Sequence, residues 1–234
     1  MNSFELEVIA CTLEDARAAC EGGATRLEVT VHLEQGGLTP PLDLVEQIVQ
    51  QAPIPARVML RERPDFVLRG RDEITTLKRR AREFAGMKVD GFVVGYMKDG
   101  SLDLEALEEV FLATQSISVT VHHAVEQTTD PLKALRALRA FSNVDRALVR
   151  AGGMLQERIQ RLPEYERAIG PGKDLILGGD LQLDMLQSLQ RNTNVRIFHL
   201  GRAVRTPESY TGRVDAAKVR NAVRFLSDKS DSVN

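Results

Sequence analysis

The 234-residue chain has only two cysteines, Cys11 and Cys20, nine positions apart on one predicted strand-to-helix unit. That spacing is neither a disulfide framework nor a metal knuckle, and it suits a reducing cytoplasm. Charge of one sign is lacking as well: the net charge is −2, so no global field favours nucleic acid or an anionic membrane. No apolar run approaches the length of a membrane span. Met1 to Val8 lacks a basic region followed by an apolar block, so no secretion signal is expected. A Walker loop, a Rossmann fingerprint and a nucleophile motif are all missing. Gly36-Gly37 has the wrong spacing for them, and no nucleotide cofactor is expected.

What is present is an alternation. Hydrophobic residues make up 43% and charged residues 27% of the chain, a composition ordinary for a soluble globular protein. Short apolar runs alternate with amphipathic stretches. Strands are predicted at Leu6–Ala10, Arg26–Val31, Ala56–Arg61, Gly91–Gly95, Ser118–His122, Arg146–Arg150, Asp174–Leu177 and Val195–His199. Helices are predicted at Leu13–Glu21, Leu42–Gln51, Asp72–Gly86, Leu104–Ala113, Pro131–Ala140, Met154–Ile169, Leu181–Gln190 and Asp215–Leu226. Eight strand–helix units in sequence argue for a single (β/α)₈ barrel over residues 1–226, with a polar tail at 227–234.

Strand neighbours point to opposite faces. Because Leu27 and Val29 should face the helices, Glu28 should face the barrel axis. The same parity places Glu7, Arg61, His122 and Arg150 inside, several near the C-terminal mouth where such barrels carry their sites. A charge in a core strand is costly unless paired. A structural ion network and a positioned site are both compatible with this set.

Three chemistries fit these residues. Among the four histidines, His122 and His199 could hold zinc or copper(II) with a carboxylate. The nearby arginines would oppose a cation. Anion or phosphate binding could use Gly178 and Gly179 after strand seven and Gly201 and Arg202 after strand eight, with Arg61, Arg63 and Arg150 adding donors. Acid–base catalysis could use Glu7 or Glu28 as base and His122 as acid or electrophile, on a small anionic metabolite anchored by Arg61.

At Leu6-Glu7-Val8, Arg26-Leu27-Glu28, Gly36-Gly37-Leu38-Thr39-Pro40, Arg61-Glu62-Arg63 with Asp65-Phe66, and Thr120-Val121-His122, the chain resembles the CutC family, named for copper homeostasis. The resemblance implies a (β/α)₈ barrel, cytoplasmic location, self-association as a homo-oligomer (a dimer) and a pocket at the strand ends. It also implies a copper role, with cysteines near the first two strands among the suggested ligands. This chain diverges at those places: Ile9 and Ala10 follow the first Glu-Val, and Thr30 stands shortly after Glu28. The family's His-Arg-Ala-Phe-Asp becomes His122-His123-Ala124-Val125-Glu126. Thiolate copper binding therefore does not carry over. A non-catalytic barrel kept for association remains a third reading.

Overall fold

The computed structural model describes residues 4–114 and 117–227, so residues 228–234 of the predicted tail lie outside the described residues. Eight parallel strands close a barrel: β1 (Glu5–Ala10), β2 (Arg26–Val29), β3 (Ala56–Met59), β4 (Gly91–Val94), β5 (Ser118–Val121), β6 (Val144–Val149), β7 (Asp174–Leu177) and β8 (Ile197–Leu200). Each neighbours the next in sequence, and β8 returns to β1. The outer helices are α1 (Leu13–Gly22), α2 (Leu42–Gln51), α3 (Arg71–Gly86), α4 (Leu104–Leu112), α5 (Pro131–Ala137), α6 (Leu155–Ile169), α7 (Met185–Asn192) and α8 (Ala216–Ser227). A short helical turn, Ala124–Gln127, stands between β5 and α5. This is the (β/α)₈ architecture that the alternation predicts.

Local signals explain the helix starts. Thr12 and Asp103 accept from backbone N–H groups of the first turns of α1 and α4. Asp130 does the same for α5, whose first residue is Pro131. Both are ordinary N-terminal devices. Several strands end short of the predicted bounds, while β1 and β6 begin earlier and β8 ends one residue later than predicted. β2 stops at Val29 because Val31 pairs antiparallel with Leu38 and the Thr30 hydroxyl donates to the Leu38 carbonyl at 2.9 Å. β3 stops at Met59, and α7 begins at Met185 rather than Leu181.

Parity divides the interior from the outer core. Leu6, Val8, Leu27, Val29, Phe92 and Phe198 pack outward against the helices in one large apolar core. Inside the barrel a separate small apolar cluster, Leu148, Ile176 and Ile197, fills the middle. Below it lies an ionic floor. Buried Arg57 donates to Asp90 at 3.1 Å, Thr120 at 2.6 Å and Asp145 at 2.5 and 2.8 Å. Arg26 and Arg146 both reach Glu5, at 3.2 and 2.9 Å. Partners at this spacing offset the desolvation of the arginines. An ion network thus occupies the N-terminal end, but its carboxylates are Glu5, Asp90 and Asp145 and not the predicted Glu7 and Glu28, which stand in the upper barrel.

Candidate functional site

Strand register assembles the pit of the upper barrel. Glu7 of β1 stands opposite His199 of β8, and Ile9 stands opposite Glu28 of β2. His199 Nδ1 lies 2.8 Å from Glu7 Oε1, and both side chains are buried. One ligand atom from each of Glu7, Glu28 and His199 can be chosen so that all three lie within 4.8 Å of one another. Among the described residues, Glu7 Oε2 and Glu28 Oε2 are buried with no protein partner. Leaving such oxygens unpaired is costly.

Burial and charge set the protonation here. Burial pushes the Glu28 carboxyl up to about 7; the Glu7 charge adds to this, while His199 and Arg61 oppose it. For Glu7, burial also acts upward, but the His199 hydrogen bond and charge, with Arg57 and Arg146, outweigh it and hold the carboxyl below its ordinary value. His199 is raised: burial disfavours its charge, yet Glu28 and Glu7 more than compensate. The pair Glu7–His199 is therefore ionic, and Glu28 titrates near neutrality beside it.

His122 sits apart from this trio. The structure does not bring it into one ligand group with His199, which corrects the predicted histidine pair. Its ring packs 5.0 Å from that of Phe66, and its Nδ1 accepts from the Ala124 N–H at 3.2 Å. Burial, with Arg61 and His123, keeps it well below the ordinary histidine range, so the ring is neutral. With Nδ1 accepting, the proton belongs on Nε2. That atom is buried without a protein partner.

A cavity of about 440 Å³ opens above these groups at the C-terminal mouth. Glu28, His122 and His199 line it, together with apolar Ile9, Met59 and Phe66. Its size suits a metabolite. A larger cavity of about 840 Å³ lies near the opposite end, by the N-termini of β7 and β8. Three of its four lining cations are engaged by carbonyls: Arg139 donates to those of Ile169 and Arg167, Lys173 to those of Phe141 and Val144, and Arg196 to those of Gln190 and Thr193.

The predicted anion donors fare differently from one another. Arg61 lines the cavity, but its guanidinium donates to the carbonyls of Gln35, Gly36, Gly37, Arg63 and Pro64. Its own backbone N–H donates to Thr39 Oγ1 at 2.8 Å. The Gly-Gly-Leu-Thr-Pro loop is thus wrapped around Arg61, which holds the loop instead of anchoring an anion. Gly37 takes φ +87° there, and a Cβ on it would stand 2.8 Å from Thr30 Oγ1. Arg63 points to solvent and pairs with Glu73 at 3.4 Å, outside the cavity. Arg150 does not enter the barrel: β6 ends one residue earlier, and its exposed side chain lies over Gly179 and pairs with Asp180 at 3.7 Å. Arg202 also pairs with Asp180 and covers the Tyr210 ring at 4.8 Å. Gly178 is no cradle; it packs against His199, where a Cβ would meet Cδ2 at 3.1 Å. Gly179 and Gly201 line the rim.

Two residues were missed in the sequence. Arg158 of α6 is buried and donates to the carbonyls of Arg150, Gly178 and Gly179 at 3.0, 2.9 and 2.6 Å. It falls in helical register with buried Leu162, Tyr165 and Ile169, and an arginine on an apolar stripe was the available signal. Glu126 accepts from the Arg150 and Ala151 N–H groups at 2.6 and 2.8 Å. Together these two side chains fix the loops after β6 and β7.

Copper(I) does not match this donor set, because it prefers sulfur. Cys11 Sγ accepts instead from Arg205 at 3.7 Å, and burial pushes its thiol up to about 11. Two carboxylates and one imidazole match copper(II) or zinc. Among the described residues, no helix is long and apolar enough to cross a membrane.

Comparison with known proteins agrees with this architecture. The CutC family model matches residues 4–204. The family protein CutC of Xanthomonas campestris pv. campestris (strain B100) is 29% identical over 237 residues, covering 94% of this chain and 98% of that protein. The copper homeostasis protein cutC homolog of Homo sapiens is 30% identical over 202 residues, covering 85% of this chain and 73% of that one. The crystal structure of the copper homeostasis protein CutC from Streptococcus agalactiae has a TM-score of 0.76 at 22% identity, covering 85% of this chain and 98% of its own. With a matching family model over most of its length, a closed eight-stranded barrel and these relatives, the chain belongs to the CutC family.

Proposed function

We propose that this chain is a copper-homeostasis barrel of the cytoplasm that binds a divalent cation, copper(II) or zinc, through Glu7, Glu28 and His199. One observation carries the reading: three buried donors within 4.8 Å, two of them with a carboxylate oxygen that has no protein partner. A cation would satisfy both oxygens and would take the place of a proton on the other ring nitrogen of His199, leaving the Nδ1 bond to Glu7 in place. Its Lewis acidity would polarise an oxygen of a ligand in the cavity above. The chain's residues divide the work. Glu7 Oε1 orients the His199 ring through the 2.8 Å bond, which leaves Glu7 Oε2, the oxygen with no protein partner, for the cation. Arg61 holds the loop that walls the pit, and the neutral His122 adds no charge against a cation. The test is copper(II) electron paramagnetic resonance on the purified protein. The reading expects one stoichiometric signal with coupling to a single nitrogen, absent in Glu28→Gln. A signal unchanged in that variant contradicts it.

A second reading is favoured by the third unpartnered atom, His122 Nε2, in the same cavity wall as Glu28. A carboxyl titrating near 7 opposite a neutral imidazole N–H is a fitting acid–base couple for a small oxygenated metabolite.

A further inference from the structure

Polarity is distributed unevenly along the depth of the mouth cavity. The pit carries the unpartnered Oε2 of Glu28 and the unpartnered Nε2–H of His122 beside the His199 ring, whose Nδ1 is taken up by Glu7. Of the cations at the pit, His199 is already paired with Glu7 at 2.8 Å, and Arg61 has its guanidinium engaged by carbonyls. An anionic group lowered there would face the Glu28 carboxylate, with both nearby cations already committed to other partners, which is unfavourable at low dielectric. A hydroxyl or carbonyl oxygen suits the pit instead: it can accept from His122 Nε2–H, and a hydroxyl can also donate to Glu28. The walls between pit and rim include apolar Ile9, Met59 and Phe66.

The rim is cationic on one side. Arg150, Asp180 and Arg202 follow β6, β7 and β8, three adjacent strands. Two guanidinium groups share one carboxylate, and all three side chains are substantially exposed. Among these three groups one positive charge is left over, with Glu208 acting on Arg202 from further along its loop, and the donors are forked ones that suit phosphate or carboxylate. The rim's Glu34 follows β2, across the barrel from this cluster.

We infer that the cavity binds a small metabolite of two unlike ends, with an uncharged hydroxyl or carbonyl head between Glu28 and His122 and an anionic tail, phosphate or carboxylate, on Arg150 and Arg202. This reverses the orientation in which an anion would sit at Arg61. It rests on the second reading only in treating the cavity as a ligand site; binding and turnover are read separately below.

Three probes separate the ends: dihydroxyacetone phosphate, with neutral head and anionic tail; dihydroxyacetone, without the tail; and 3-phosphoglycerate, with a carboxylate in place of the neutral head. Isothermal titration of each into the metal-free protein is expected to give dihydroxyacetone phosphate at least tenfold tighter binding than either of the others. The exposed pair Arg150→Gln and Arg202→Gln should erase its advantage over dihydroxyacetone, with the fold intact. His122→Leu should weaken it about tenfold while leaving its advantage over dihydroxyacetone. Equal or tighter binding of 3-phosphoglycerate, an unchanged affinity in the rim variant, or no binding of dihydroxyacetone phosphate overturns the inference. Exchange of carbon-bound hydrogen of the bound probe with deuterated solvent, followed by proton NMR, tests the acid–base reading alone. Binding without exchange keeps the inference and removes that reading.

Discussion

His199 and Glu7 are 192 residues apart in sequence and 2.8 Å apart in space, joined where the last barrel strand meets the first. Their bond therefore closes the barrel and organises its pit at once. Removing one partner leaves a buried charge without compensation. His199→Ala is expected to lower stability by roughly 3–5 kcal/mol. Urea unfolding of the single variants and of the double variant with Glu7→Gln checks this. The double variant should lose clearly less than the sum, since the second change removes the stranded charge.

Glu28 gives a pH signature. Its carboxyl is raised from the usual 4.5 to about 7 by burial, with Glu7 adding and His199 and Arg61 opposing. The folded state therefore holds a proton that the unfolded chain releases at lower pH. Stability should fall as pH rises from about 4.5 through about 7, on the order of 1–3 kcal/mol. Glu28→Gln should flatten this part of the profile and be the more stable protein at pH 8. Denaturant midpoints at pH 5, 6, 7 and 8 measure it. A wild-type decline retained in the variant would place the titration elsewhere.

Arg61 acts on the loop before it acts on any ligand. Its fork reaches carbonyls on both the 35–37 and the 63–64 segments. A lysine ammonium cannot span them. Arg61→Lys is expected to cost roughly 2–3 kcal/mol and to speed amide exchange at Leu38 and Thr39, whose N–H groups are bonded in this turn. Hydrogen exchange followed by mass spectrometry reads both effects.

Arg158 makes the matching prediction on the other side of the mouth. Arg158→Met keeps the apolar stem but leaves the buried Gly178 carbonyl unpaired. A loss of at least roughly 2 kcal/mol is expected, with faster proteolysis at the loops after β6 and β7. Limited proteolysis with mapped cleavage sites checks it.

Much of this was legible in the sequence because it depends on period. Alternation of apolar residues marked the eight strands, and parity correctly turned Glu7 and Glu28 inward, where they meet His199. Parity failed for Arg150, which lies past the strand end and is drawn over Gly179 to Asp180 at the rim. The role of Arg61 was hidden because carbonyl partners carry no residue signature; a loop wrapped around a guanidinium looks like any glycine turn. The grouping of His199 with the two glutamates rather than with His122 depends on barrel closure and strand stagger, which no local pattern encodes. Arg158 was readable, since it breaks an apolar stripe on α6.

The most direct test of the central claim is a chelator-competition titration of zinc and copper(II) into the wild-type protein, Glu28→Gln and His122→Leu. The account predicts one tight site in the wild type, its loss in Glu28→Gln although that variant stays folded, and its retention in His122→Leu. Tight binding that survives in Glu28→Gln, or none in the wild type, would contradict the assignment of Glu7, Glu28 and His199 as the cation site.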